Sequence, residues 1–121
     1  MSGMEADTEL LKEAYRRFNA RDIDGVLRLM RKDVDWPNGM EGGRELGHDA
    51  VREYWTRQWA VVDPHVEPVG FREEGGRTVV LVDQVVKDLD GKVLVDQKIE
   101  HIYTVEGGLI RHMEIREVAQ R

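Results

Sequence analysis

Two β-branched runs on either side of a turn signal constrain this chain most strongly. Residues 78–103 read TVVLVDQVVKDLDGKVLVDQKIEHIY, and Asp90-Gly91 separates the two runs. Both central residues of a two-residue type I′ turn take positive φ, which Gly, Asn and Asp adopt at the least cost. The segment therefore predicts a β-hairpin with a type I′ turn at Asp90-Gly91.

That turn predicts which residues pair across the hairpin. With Leu89 opposite Lys92, the pairs on one face are Val85 with Asp96, Asp83 with Lys98, Leu81 with Glu100 and Val79 with Ile102. The other face carries Val80, Val82, Gln84, Val86, Val95, Gln97, Ile99, His101 and Tyr103. Since both faces are partly apolar, we expect helices to cover one of them and a second subunit to cover the other.

Composition limits the class of protein. At 121 residues, with 40% hydrophobic and 35% charged side chains, the chain fits a single domain, 1–121. The net charge of −6 and the lack of a basic run argue against nucleic acid or an anionic membrane as partner. There is no Cys, and the start, MSGMEADTELL, has no apolar run typical of a signal peptide or membrane span. A cytoplasmic protein is expected.

Helical spacing precedes the hairpin. Leu11, Ala14, Tyr15 and Phe18 predict a first helix from Thr8, after an N-terminal extension, 1–7, that we expect to be disordered. A second, short helix is predicted from Asp24 to Met30, capped by Asp22 or Asp24, and a third from His48 or Asp49 to Trp59.

Strands make up the rest of the chain. Val34 to Trp36 should be extended, with Pro37 ending the strand before the glycine-rich loop NGMEGGRELG. Strands are also predicted at 65–73 and 109–117, on either side of the central hairpin. This order predicts an α+β fold with the helices gathered on one face of a bent, mainly antiparallel sheet.

Three segments resemble a known family. FNARDIDGVLRLMRKDVDW, GHDAVREYWTRQW and HIYTVEGGLIRHMEI are similar to the SnoaL-like branch of the nuclear transport factor 2-like (NTF2-like) superfamily, which includes ketosteroid isomerases and polyketide cyclases. The similarity spans Leu10 to Glu117. It implies a cone-shaped half-barrel with three N-terminal helices on the concave face, a pocket between helices and sheet, and a homodimer formed through the outer sheet face.

The isomerase pattern of that superfamily matches this chain at one position of three. Its catalytic tyrosine falls on Ala14, and its general-base aspartate falls on Asn38 or Pro37, which cannot take a proton as a carboxylate does. Only its hydrogen-bonding acid has a counterpart, at Glu100. The resemblance therefore favours a cyclase-like site, in which an acid lies in an aromatic pocket.

The position of Met113 and Ile115 in the resemblance suggests that the concave face is the one that carries Glu100. Glu100 and Asp83 are then the candidate general acid/base groups, with a raised pKa for Glu100. The candidate substrate-binding residues are Trp36, Asn38, Tyr54, Trp55, Trp59, Lys98, Ile102 and Met113.

Simpler interpretations stay open. Asp83 and Lys98 could form an ordinary cross-strand ion pair, and the tryptophans could simply fill the core. The four histidines lack ligand spacing, so a metal site is not expected, although His101 and His112 could approach each other across the last hairpin, near Glu114. No cofactor is expected.

Two functions follow. The first is a domain that binds a small apolar carbonyl or polycyclic compound, as an isomerase- or cyclase-like acid/base enzyme or without turnover. The second is a non-catalytic dimerising domain with a vestigial pocket, which a cone filled by Trp36, Trp55 and Trp59 would favour.

Overall fold

The computed structural model describes residues 3–118, in which three helices pack on one face of a six-stranded sheet. The elements are α1 Gly3–Asn19, α2 Ile23–Leu27, β1 Met30–Pro37, β2 Arg44–Leu46, α3 Gly47–Val61, β3 Val62–Glu74, β4 Arg77–Asp88, β5 Val93–Glu106 and β6 Leu109–Glu117. The strand order is β2-β1-β6-β5-β4-β3, and only β1 and β6 run parallel. The sheet is open, and the predicted α+β half-barrel is confirmed.

All three predicted helices are present, but α1 and α2 each differ from the prediction at one end. Asp22 accepts a hydrogen bond from Gly25 N at 3.0 Å, so it caps α2 as predicted, although α2 ends at Leu27 and Met30 already belongs to β1. The first helix starts at Gly3 rather than Thr8, so residues 3–7 of the expected extension lie in its first turns, and Met1 and Ser2 are outside the described residues.

The end of α1 is joined to the sheet by a side chain. The side-chain amide of Asn19 donates to the carbonyl of Val66 at 2.8 Å and accepts from the N–H of Val66 at 3.0 Å. Asn19 thus bonds both backbone groups of a residue in β3, as a neighbouring strand would. Leu11, Tyr15 and Trp55 pack in the core between helices and sheet. These contacts hold α1 against the concave face of the sheet.

The predicted turn type of the central hairpin is wrong, but its register is confirmed. Of the residues in this turn only Gly91 has a positive φ, 94°, and its N–H donates to Asp88 O at 3.1 Å. The turn is therefore a type I turn followed by a left-handed residue. Leu94 is then an extra residue between the pairs Lys87–Val93 and Val86–Val95. The one-residue shift restores the predicted register, including Asp83 opposite Lys98 and Leu81 opposite Glu100.

The predicted assignment of the two faces is also wrong. Val80, Val82, Ile99 and Tyr103 belong to the core under the helices, so the surface predicted to form a dimer is the concave face. The opposite face, here called the outer face, carries Val79, Leu81, Asp83, Val85, Lys98, Glu100 and Ile102.

A single bulge accounts for this inversion. Val105 lies opposite Ile110, but Thr104 lies opposite His112, so Arg111 is an extra residue in β6. Without that bulge the register would place Met113 opposite Ile102. With it, Met113 lies opposite Tyr103 and Ile115 opposite His101. Met113 and Ile115 do lie on the concave face, but they share it with Tyr103 and His101 instead of Glu100.

A charged network covers part of the outer face. Arg72 on β3 contacts Glu100 on β5 at 2.8 Å, and to do so it crosses β4, where Val79 is fully buried. Arg116 on β6 contacts Glu100 at 2.8 Å and Glu74 at 3.0 Å. The arginine stems thus shield apolar side chains while their charged heads remain at the surface.

Candidate functional site

A cavity of about 870 Å³ lies between the helices and the concave face of the sheet. Its lining includes residues of α1, α2 and α3, the loop after β1, and strands β1 to β6. Aromatic rings form much of the wall, contributed by Tyr15, Phe18, Trp36, Tyr54, Trp55 and Tyr103. The cone is therefore not filled by its tryptophans.

Five of the predicted substrate-binding residues lie at this cavity. They are Trp36, Asn38, Tyr54, Trp55 and Met113. Trp36 and Trp55 meet edge to face with ring centroids 5.7 Å apart, which places their apolar surfaces on adjoining parts of the wall. Trp59 stacks on Trp55 at 5.8 Å and supports the wall without being part of the lining.

The other predicted site residues lie on the outer face. Arg72 and Arg116 bond the Glu100 carboxylate, chiefly Arg72, and they lower its pKa, the opposite of the predicted shift. Glu100 was predicted to lie in the pocket, and this is wrong because the prediction took the outer face of the sheet for the concave one.

Three more residues that were predicted to lie at the site, on the same face as Glu100, do not reach the cavity. Asp83 and Lys98 form an exposed cross-strand ion pair at 2.7 Å, as the simpler interpretation held. Ile102 is buried in the outer face beside Val79. The acid/base roles predicted for Glu100 and Asp83 therefore lose their geometric basis.

A chain of three buried polar residues lies at the cavity instead. The Tyr103 hydroxyl lies 2.9 Å from the Tyr15 hydroxyl, which lies 2.7 Å from Nδ1 of His101. All three side chains line the cavity and are nearly inaccessible to solvent. Sequence reasoning missed His101 and Tyr103 as site residues, although their alternation along β5 placed them together on one face.

The bond directions follow from counting protons. The Tyr103 hydroxyl donates to the Tyr15 hydroxyl, and the Tyr15 hydroxyl donates to Nδ1 of His101. In the reverse direction the buried Tyr103 proton would have no acceptor among residues 3–118, at a cost of about 1–3 kcal/mol. Because Nδ1 accepts, the neutral imidazole carries its proton on Nε2.

The protonation state of His101 supports this assignment. Burial lowers its pKa to about 4, because the charged imidazolium would lose its hydration, so the ring is neutral at pH 7. Burial also raises the pKa of Tyr15 and of Tyr103, which keeps both phenols protonated. The three hydrogen-bonded side chains are therefore all uncharged near neutral pH.

His101 Nε2 is reachable from the cavity. Within the described part of the chain, the buried polar side-chain atom without a partner is Trp59 Nε1. Nε2 of His101 also has no hydrogen bond to a described residue, but it keeps some accessible surface. Because His101 lines the cavity, that surface faces the cavity. His101 therefore presents an N–H donor to the cavity, among the aromatic rings of the wall.

No carboxylate faces the interior of this cavity among residues 3–118. Glu114 contributes to the lining, but it lies opposite Ile102, and its carboxylate contacts Arg77 at 3.4 Å on the outer face. The interior thus offers a neutral donor suited to a carbonyl or oxyanion, and no anionic general base.

Asn38 has a structural role at the rim. Its side-chain oxygen accepts from the N–H groups of Met40 and Glu41 at 3.1 and 2.7 Å, and its amide donates to Glu41 and Glu45. Both ends of the amide are therefore used in holding the loop between β1 and β2. The sequence predicts a loop throughout this segment, whereas Arg44–Leu46 forms β2.

The chain belongs to the SnoaL-like family of NTF2-like proteins. The SnoaL-like domain profile matches residues 11–113. Among solved structures, TerC co-crystallised with polyporic acid is 31% identical, with a TM-score of 0.81 over 93% of this chain and 92% of that chain.

Two further structures support the fold. An NTF2-like protein of unknown function from Burkholderia pseudomallei K96243 is 30% identical, with a TM-score of 0.81 over 98% of this chain and 92% of that one. A presumed polyketide cyclase from Xanthomonas campestris is 21% identical, with a TM-score of 0.77 over 94% and 91%, which is a likeness of fold only. No match is found among curated proteins.

Two further properties concern the described residues alone. No helix within residues 3–118 is long and apolar enough to cross a membrane. In the same range, no group of three or more His, Asp or Glu side chains is placed to hold a metal ion.

Proposed function

We propose that this chain binds a small aromatic or polycyclic molecule that carries a carbonyl or phenolate oxygen. The apolar body of the ligand lies against Trp36 and Trp55, and its oxygen accepts from Nε2–H of His101. One observation carries the proposal: an 870 Å³ cavity whose aromatic walls surround the buried Nε2–H donor of His101.

The size and lining of the cavity support this class of ligand. Small-molecule sites in proteins commonly measure about 300–1,000 Å³ and combine apolar walls with a few polar groups. A cone filled by tryptophans would have favoured an interaction domain, and this cone is open. The likeness to TerC, crystallised with polyporic acid, supports a ligand of similar kind here.

The donor limits the chemistry available. A neutral imidazole whose Nδ1 accepts from Tyr15 can polarise a carbonyl or stabilise an oxyanion through Nε2–H, but it has no free lone pair with which to remove a proton. An isomerase- or cyclase-like reaction at this site would therefore depend on oxyanion stabilisation by His101. Binding without turnover uses the same contacts.

Ligand titration tests the proposal. Polyporic acid and 2-naphthol are titrated separately, with fluorescence of the cavity tryptophans, Trp36 and Trp55, as the signal. His101→Phe keeps a flat ring of similar size but removes the donor, so binding should weaken by about tenfold, the worth of one hydrogen bond. The matched control is His65→Phe, because His65 is exposed and pairs only with Glu67.

Two outcomes would overturn the proposal. One is that neither compound quenches the tryptophan fluorescence in a saturable way. The other is that His101→Phe, folded as judged by circular dichroism, binds both compounds as tightly as His65→Phe does.

We also propose that the chain forms a homodimer, through the outer face of the sheet. The outer face now available for it carries Asp83, Lys98 and Glu100 rather than an unbroken apolar surface. Charged contacts between exposed groups weaken as salt screens them. We therefore expect sedimentation to show a dimer whose dissociation constant rises with salt; a monomer at all micromolar concentrations would remove it.

A further inference from the structure

A second polar group lies at the cavity, away from His101. Gln84 on β4 and Gln97 on β5 are directly opposed on the concave face, and both line the cavity. Gln97 Nε2 donates to Gln84 Oε1 at 2.9 Å. On the same face of the hairpin the neighbouring pair is Val86 and Val95, which are apolar residues of the cavity wall and flank the two amides.

Each amide keeps hydrogen-bonding capacity beyond this mutual bond. An amide side chain has two N–H donors and one oxygen acceptor. The bond between the pair uses one N–H of Gln97 and the oxygen of Gln84. The Gln97 oxygen and the Gln84 amide nitrogen have no other partner among residues 3–118. Together they offer an acceptor and a donor side by side.

The separation of the two polar groups follows from strand geometry. Gln97 and His101 lie on the same face of β5, four residues apart, and the rise of a strand places them about 13 Å from each other. Ile99 lies between them on this face, is buried and lines the cavity. The floor of the cavity therefore changes from polar to apolar and back to polar along β5.

We propose that the ligand is elongated and carries a polar oxygen at each end. One oxygen is bound by Nε2–H of His101, and the other by the amides of Gln84 and Gln97. This inference rests on the proposed function, since it uses the same cavity and the same donor. Gln97 is exposed, so the second end of the ligand lies at the mouth of the cavity.

The physical reason is the cost of covering a polar group with an apolar one. A rod-shaped ligand with an apolar far end would displace water from the glutamine amides without replacing its hydrogen bonds. A hydroxyl at that end can both accept from Gln84 and donate to Gln97. The site should therefore select between ligands of equal length by the group at the far end.

Two matched probes test this selection. 4,4″-Dihydroxy-p-terphenyl has a hydroxyl at each end of three rings in line, and 4-hydroxy-p-terphenyl has only one. Equilibrium dialysis against the intact chain should show about tenfold tighter binding of the dihydroxy compound. Replacing both amides, Gln84→Leu with Gln97→Leu, should abolish that preference and leave the monohydroxy compound bound at least as tightly as before.

The His101→Phe variant separates failure of this inference from failure of the proposed function. It should weaken both probes by a similar factor and leave their ratio unchanged. Equal binding of the two probes to the native chain, with both weakened in His101→Phe, would overturn the second polar end alone. If neither probe responds to His101→Phe, the proposed function fails as well.

Discussion

The Tyr15 hydroxyl lies 2.7 Å from Nδ1 of His101, a residue 86 positions later in the chain. This contact joins α1 to the middle of β5 inside the core. It determines that the imidazole presents Nε2–H, rather than a lone pair, to the cavity. The chemical character of the site thus depends on a hydroxyl group contributed by another element.

Removing the Tyr15 hydroxyl should lower the stability of the fold. Tyr15→Phe takes away the acceptor of the Tyr103 proton and the donor to His101 Nδ1. Two buried polar groups then lack partners, and we expect a loss of about 2–4 kcal/mol in the free energy of unfolding. Urea unfolding at pH 7 measures it.

Tyr103→Phe is the matched comparison. Tyr15 keeps its acceptor in this variant, and we expect the loss to be smaller, about 1 kcal/mol. An equal or larger loss for Tyr103→Phe would show that the protons run in the opposite direction. Nitrogen NMR of the His101 ring, which distinguishes a proton on Nε2 from one on Nδ1, would decide the same question directly.

Stability should fall between pH 6.5 and pH 4. Burial lowers the pKa of His101 from 6.5 to about 4, so the unfolded chain takes up this proton at higher pH than the folded chain does. The stabilisation is complete above pH 6.5 and is lost as the pH falls towards 4, by about 3 kcal/mol. Urea unfolding at a series of pH values measures this slope.

His101→Phe provides the control, because it has no proton to take up at this position. Its stability should vary less than that of the native chain between pH 6.5 and pH 4. The Glu74 carboxyl, whose pKa Arg116 and Arg72 lower from 4.5 to about 2, loses its stabilising effect as the pH falls below about 4.5, and this loss should be the same in both proteins. Identical slopes in the two proteins would contradict a buried neutral histidine.

Glu100→Gln should leave the cavity unaffected. Glu100 lies on the outer face between Arg72 and Arg116, and both arginines are close to half exposed, so water screens the pairing. We expect a loss of about 1 kcal/mol in stability and unchanged binding of polyporic acid. A clear loss of binding in the folded variant would restore Glu100 as a candidate site residue.

Gly91→Val should destabilise the central hairpin through backbone strain alone. Gly91 has φ 94°, and an added Cβ would meet no atom within 4 Å, so the expected cost comes from the backbone conformation. A β-branched residue in the left-handed region costs about 1–3 kcal/mol. Thermal unfolding should show a lower midpoint with unchanged ligand binding, whereas Lys92→Val, beside it but without positive φ, should change the midpoint little.

Local pattern was sufficient for much of this structure. The spacing of Leu11, Tyr15 and Phe18 predicted α1, and β-branched runs around Asp90-Gly91 predicted the hairpin. Its register was predicted from a turn type that is wrong, and it holds because the extra residue Leu94 compensates for the different turn. The aromatic residues Trp36, Tyr54 and Trp55 were also placed at the cavity, since each lies on the apolar side of its own element. Such features depend on residues close together in sequence.

The sequence by itself thus determined which residues share a face, but only the tertiary structure decided which face meets the helices. Both faces of the hairpin are partly apolar, so hydrophobic alternation does not choose between them. The prediction relied on Met113 and Ile115, and one extra residue, Arg111, in the pairing of β5 with β6 moves both of them to the face of His101. A bulge of one residue exchanges the two faces of a strand relative to its neighbour, because side chains alternate with a period of two. That exchange places Met113 and Ile115 beside Tyr103 and His101, which face the cavity, rather than beside Glu100.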